Sequence, residues 1–175
     1  MKPKTPRHHK RWTLRLFEWG VLTCAILILA GVFLRKVRHL QAEAERLNVQ
    51  ATVENMRAAV LMAGVLTAKQ GARRSSAIPG GNPVVLLQAQ TGMVPAGYLG
   101  ELDEADPGRI AKGSWYFDRS RHALIYRLRD TDGFSSSLPG PARIRLCLRE
   151  EDKGKNSGLL LQLEACEPYR WQPGK

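Results

Sequence analysis

The chain has 175 residues, with 27 Lys and Arg against 16 Asp and Glu, for a formal charge of +11. That excess is not a nucleic-acid footprint, because residues 1–15 supply six bases and no acid and leave 21 bases against 16 acids on the other 160 residues. The remainder is an ordinary surface balance, so no nucleic-acid partner is expected.

Residues 1–13 carry Lys2, Lys4, Arg7, Lys10 and Arg11 and read as a basic cytoplasmic leader. Beside anionic lipid headgroups each such base contributes about 1 kcal/mol. Residues 14–34 follow and are largely apolar except for Arg15 and Glu18; the run WGVLTCAILILAGVFL contains 16 uncharged residues, and Leu16 and Phe17 extend it past the glutamate. At 1.5 Å per residue the stretch approaches the ~17–20 residues that a hydrocarbon core requires, so a single transmembrane helix is expected. A cleavable signal peptide has the same basic start and apolar core. Because Val32-Phe33-Leu34 runs on past Ala30-Gly31 with no small-residue cleavage site after it, the segment is read as a retained anchor, with the cleaved signal as the alternative. The leader has no acid, whereas Arg35, Lys36 and Arg38 are soon followed by Glu43 and Glu45. The positive-inside bias therefore places the amino terminus in the cytoplasm and everything after residue 35 in the periplasm or exterior. Glu18 is the costly residue of the span, by about 2.5–3.5 kcal/mol on insertion scales, and an intramembrane acid points to function and to a partner.

Good helix formers continue over residues 35–70 without proline and with Gly64 as the one glycine. Val49, Val53, Met56, Val60 and Ala63 recur at spacings of four and three and form one apolar stripe. The stripe is read as the face that packs on a following domain, with half of a coiled coil as the other option. That domain is expected to be an extracytoplasmic α+β unit over residues 71–175. Residues 71–82 are loop chemistry, Asn82-Pro83 is an N-cap followed by a first-turn proline, and 84–90 make a short helix. A second Gly- and Pro-containing loop is expected over 92–113; its acids Glu101, Asp103, Glu104 and Asp106 lack the spacing and glycine of a calcium loop. Residues 114–118 and 123–128 read as a hairpin with Trp115 and Phe117 on one face. After a long connection over 129–141, residues 143–149 alternate Ile144, Leu146 and Leu148 against Arg143, Arg145 and Cys147, and 159–166 complete a second hairpin. The expectation is four antiparallel strands behind one long helix.

Cys24 reads as an inert small residue within the span. Cys147 and Cys166 lie on the two arms of the last hairpin, in a compartment where disulfides persist. Simple pairing about a turn at 152–156 sets Cys147 opposite residues near 161, so a bridge to Cys166 requires a longer or bulged connection, and a reduced pair is the alternative. His8, His9, His39 and His122 are scattered, and Ser135, Ser136 and Ser137 lack the context of a nucleophile elbow. No enzyme, cofactor, metal or small-molecule substrate is expected.

The order of a basic leader, an apolar helix with a glutamate near its start, an amphipathic continuation, a Gly/Pro-rich loop and a small sheet resembles the type IV pilin and type II secretion pseudopilin superfamily. The anchor of the resemblance is Leu14-Arg15-Leu16-Phe17-Glu18, which lines up with the family's hydrophobic start, in which the fifth mature residue is glutamate. The segments GSWYFD and ALIYRL look, more loosely, like the sheet of minor pilins. Two positions depart from the pattern: Thr13 stands where the family's peptidase cuts after glycine, and Arg15 where members carry a small or apolar residue. Arg15 is three residues from Glu18, so the two can neutralise each other on one helix face. The resemblance implies a pilin-like fold that acts by subunit packing. Its implied partners are other pilin-like subunits or platform proteins of a pilus or secretion system, together with membrane lipid. In the family Glu18 would pair with the free amino terminus of a neighbouring subunit; a retained leader implies pairing with Arg15 or with a base on a partner. The alternative class is a bitopic scaffold or accessory protein that binds envelope components.

Overall fold

No proline falls between Pro6 and Pro79, and the chain forms a single 63-residue helix, α1 (His8–Gln70). The computed structural model describes residues 8–70, 81–151 and 160–172, with side chains for 16–66, 81–149 and 161–172. The chain divides into two compact units, Met1–Gln41 and Ala42–Lys175.

In the first unit the described side chains of 16–34 are all exposed, Phe17 and Leu29 by 72% each. Those 19 residues rise about 28 Å, close to a ~30 Å hydrocarbon core. This is one N-terminal helix long and apolar enough to cross a membrane.

In the second unit the helix stripe meets a sheet. The elements are α2 (Pro83–Thr91), β1 (Tyr98–Leu102), β2 (Ser114–Asp118), β3 (Ala123–Arg127), β4 (Phe134–Ser136), β5 (Arg143–Glu151), β6 (Leu160–Ala165) and β7 (Tyr169–Trp171). Five strands form one sheet in the order β1-β2-β3-β5-β6, and β4 and β7 form a second, two-stranded one. The architecture is α+β, but the larger sheet is mixed: β1 lies parallel to β2, while the other neighbours are antiparallel. The expected 92–113 loop thus contains the edge strand β1. The 129–141 connection contains β4, which pairs with β7 near the carboxyl end.

One face of the five-stranded sheet presents Trp115, Phe117, Leu124, Tyr126, Ile144, Leu146, Leu148, Leu161 and Leu163 to the helices. Against it lie Val49, Val53, Met56, Ala59, Val60 and Ala63 of α1 and Val84, Leu86 and Leu87 of α2. Met56 and Val60 are wholly buried, and each such side chain contributes about 1.5–3 kcal/mol relative to exposure. The Asn82 carboxamide caps α2 by accepting from the amide of Val84 at 3.0 Å, and Pro83 occupies the first turn where its missing N–H is harmless. Gln90 Nε2 donates to the Ala59 carbonyl at 2.7 Å and ties α2 to α1. Gly97 takes a left-handed φ of +74°, and a Cβ there would stand 3.0 Å from the Gly113 carbonyl oxygen, a close approach that brings β1 beside β2. The other sheet face carries a smaller cluster of Tyr116, Ala123 and Ile125, against which Leu102, Ala105, Ile110, Cys147 and Cys166 pack.

Candidate functional site

The charge that sequence reasoning singles out, Glu18, is exposed on α1 within an open, mostly apolar groove lined by Phe17, Val21, Leu22 and Ala25. Its carboxylate has no hydrogen-bond or ion-pair partner among the described residues. Thr23, by contrast, satisfies its hydroxyl within the helix by donating to the Trp19 carbonyl at 2.8 Å. Arg15 occupies a helical position three residues before Glu18, and its side chain lies outside the described residues. Gly20 and Gly31 have open space where a Cβ would stand.

A second acid on α1 is fully engaged, and sequence reasoning did not single it out. Glu45 Oε1 accepts from the Tyr126 hydroxyl at 2.8 Å and from the Arg129 amide at 2.7 Å, and Oε2 accepts from the Asp130 amide at 3.2 Å. Burial, then the hydrogen bond to Glu45 and the charge of Glu45, push the Tyr126 hydroxyl pKa up, so it stays a neutral donor. The Tyr126 ring packs on Trp115 with centroids 4.7 Å apart. Glu45 precedes Val49 by one four-residue step, so it continues the apolar stripe; that register is the signal by which the sequence could have revealed it. Further along α1, Arg57 Nε donates to the Leu163 carbonyl at 3.1 Å, which covers the free edge of β6. Arg46 reaches the Trp171 carbonyl at 3.4 Å. All of Val49, Val53, Met56, Val60 and Ala63 lie in the core beneath the sheet.

The last hairpin corrects the expected register. Cys147 lies opposite Glu164 rather than a residue near 161. Cys166 donates its amide to the Arg145 carbonyl at 2.9 Å, which makes Cys147 and Cys166 diagonal neighbours. Their Cα atoms are 5.3 Å apart and the two are joined by a disulfide; the diagonal removes the geometric objection to the bridge. The loop 71–80 and the turn 152–159 lie outside the described residues.

Beside the disulfide, the outer sheet face is rich in arginine. Asp118, fully buried, accepts from Ser120 Oγ at 2.6 Å, the Arg121 amide at 3.1 Å and Arg121 Nη1 at 2.6 Å. Burial alone would raise its pKa, but these bonds outweigh it and hold the carboxyl below the usual range. Arg145 Nε donates to Glu167 Oε2 at 3.0 Å. The Arg119 guanidinium reaches Asp103 at 3.1 Å and Glu101 at 3.9 Å, and Asp106 accepts from the Gly108 amide at 2.8 Å, so these loop acids are engaged at the surface. Among the described residues no three His, Cys, Asp or Glu side chains are placed to hold a metal ion.

Comparison with known protein families, with characterised proteins and with solved structures finds no match to this chain in any of the three.

Proposed function

We propose that this protein is a pilin-like, single-pass membrane protein that acts in the assembly of a type IV pilus or a type II secretion-like system by helix packing, with Glu18 as its docking charge. The observation that carries the reading is Glu18 itself: an exposed carboxylate, without a partner among the described residues, set in the apolar start of a helix whose distal half packs in the core of a small α+β unit. In hydrocarbon such a carboxylate is stable only against a cation or a donor. The matching chemistry is a basic group, which in the family the chain resembles is the free amino terminus of a neighbouring subunit and, with the leader retained, is Arg15 or a base on a partner.

Thr13, at the position where that family is processed after glycine, favours a second form of the same reading, in which the leader is retained and the protein is a fixed inner-membrane component that docks pilin-like subunits. The test is co-purification from native membranes. Glu18→Ala should insert as well as the wild type and lose its pilin-like partners, with Glu18→Gln intermediate because it keeps hydrogen bonding but not charge. Undiminished partner recovery with Glu18→Ala would remove the assembly role from this residue. The intact mass separates the two forms, since a processed subunit lacks residues 1–13.

A further inference from the structure

The outer face of the five-stranded sheet holds more cationic charge than it neutralises. Reading across the strands, Ser114 pairs with Arg127 and Arg127 with Arg143, while Tyr116 pairs with Ile125 and Ile125 with Arg145. Arg127 and Arg143 thus stand side by side, one pleat along from Tyr116 and on the same face. Arg145 is bound to Glu167 and Arg121 to Asp118. Arg127 and Arg143 have no carboxylate among the described residues. Arg127 uses Nη1 on the carbonyls of Gly108 and Ile110. Arg143 uses Nη1 on the carbonyls of Pro139 and Pro141, each at 2.9 Å. Each guanidinium carries five N–H donors, so its Nε and Nη2 sides remain available. The two arginines also hold the 103–112 and 137–142 segments at this end of the sheet by those carbonyls.

Beside them, Tyr116 is fully buried and its hydroxyl has no hydrogen-bond partner among the described residues. A buried hydroxyl left unsatisfied is costly. Its surroundings are cationic: burial raises the Tyr116 pKa, and among the charges that act on it Arg143 comes first, opposed by Asp118 and followed by Arg121 and Arg127. Burial and then Arg143 and Arg121 lower the pKa of Arg145. An oxyanion is the ligand whose chemistry suits these donors, because guanidinium forks match the planar or tetrahedral oxygens of carboxylate and phosphate.

We propose that Arg127, Arg143 and the Tyr116 hydroxyl form a binding site for an oxyanion, a phosphate or carboxylate group, on the face of the sheet opposite α1. The site is independent of the pilin-like reading and of Glu18.

The test uses the full chain in detergent micelles, dialysed into a buffer without oxyanions, with inorganic phosphate and acetate as separate probes. Thermal unfolding and calorimetric titration are the readouts. Phosphate or acetate should raise the melting temperature and give saturable heat; the stronger probe identifies the group. Arg143→Gln should weaken that binding about tenfold or more, as expected for loss of a charge-assisted bond. Tyr116→Phe supplies a crossing signature. Without the anion it should be neutral or raise the melting temperature, because it removes an unpaired hydroxyl, and with saturating anion it should lose stability relative to wild type. Binding that Arg143→Gln leaves unchanged would show an ion held elsewhere and overturn the site. So would a wild type that neither probe stabilises, or a Tyr116→Phe protein already destabilised in anion-free buffer, which would mean that the hydroxyl has another partner.

Discussion

Replacing Glu45 with alanine should loosen the grip between α1 and the sheet by about 2–6 kcal/mol. The figure follows from what the carboxylate accepts. Tyr126 is 4% exposed and its hydroxyl donates to Oε1; stranding a buried hydroxyl costs about 1–3 kcal/mol. The amides of Arg129 and Asp130 lie nearer solvent and can turn to water, so each loses only the net value of a bond, about 0.5–1.5 kcal/mol. Glu45→Gln retains one acceptor oxygen but sets an amide donor against the Asp130 N–H, and it should cost less than alanine yet more than nothing. Tyr126→Phe removes the other end of the pair. Urea unfolding of the full chain in micelles, followed by the near-ultraviolet signal of the Trp115 and Tyr126 rings, gives all four corners of a double-mutant cycle. The expected coupling is about 1 kcal/mol, within the range for contacting residues. Strict additivity of Glu45→Ala and Tyr126→Phe, or a Glu45→Ala protein as stable as wild type, would refute the assignment of Glu45 as the clamp.

Met56, fully buried beneath the sheet, should cost about 2–5 kcal/mol on truncation to alanine, read by the same unfolding midpoint. Asn82→Ala removes the α2 cap and the donor to Tyr98 Oη at 2.7 Å and Glu101 Oε1 at 2.9 Å; a loss of about 1–2 kcal/mol is expected, with helicity reduced in the α2 amide-exchange pattern. The pH dependence has two limbs. The folded pKa of Asp118 is depressed, so its contribution is complete above the unfolded value near ~3.9 and is lost as pH falls through the lower folded value. Asp118→Asn should flatten that acid limb. The Tyr126 pKa is raised by burial and by Glu45, so its contribution is complete below ~10 and is lost as pH rises above that. Tyr126→Phe should flatten the alkaline limb.

Features with a strong local signature were legible in the sequence. The apolar run near the amino terminus, the four-three stripe of Val49, Val53, Met56 and Val60, the Asn82-Pro83 helix start and the aromatic hairpin of β2 and β3 all appear where their patterns place them. The strands that escaped notice are short or interrupted. β1 carries Gly100 and an acid in five residues, and its partner β2 lies beyond a further loop, so neither composition nor a hairpin turn announces it. β4 and β7 have three residues each and find one another across the rest of the hairpin region, with the Phe134 ring 5.9 Å from Tyr169 and 5.8 Å from Trp171. Tertiary packing, not local propensity, selects such strands. Glu18 stood out because a charge in an apolar run is conspicuous. Glu45 did not, because a glutamate in the charged run that also holds Glu43 and Arg46 looks ordinary until its step to Val49 is counted.

The same counting explains why the sheet cannot be treated as a domain hung after the helix. Its helix-facing residues, among them Trp115, Tyr126, Ile144 and Leu146, have their apolar partners on α1 between Val49 and Ala63 and on α2. Five of the six helix residues in that core, Val49, Val53, Met56, Val60 and Ala63, lie on one stripe that Glu45 extends and pins. α2 has only nine residues, too short to cover five strands, and Gln90 ties it to α1. Most of the apolar cover therefore comes from the distal half of α1, which is why its sequence keeps a clean three-four period after the uniformly apolar stretch ends. The stripe supplies the cover that the sheet packs on, and the apolar stretch before it carries Glu18 as its one acid.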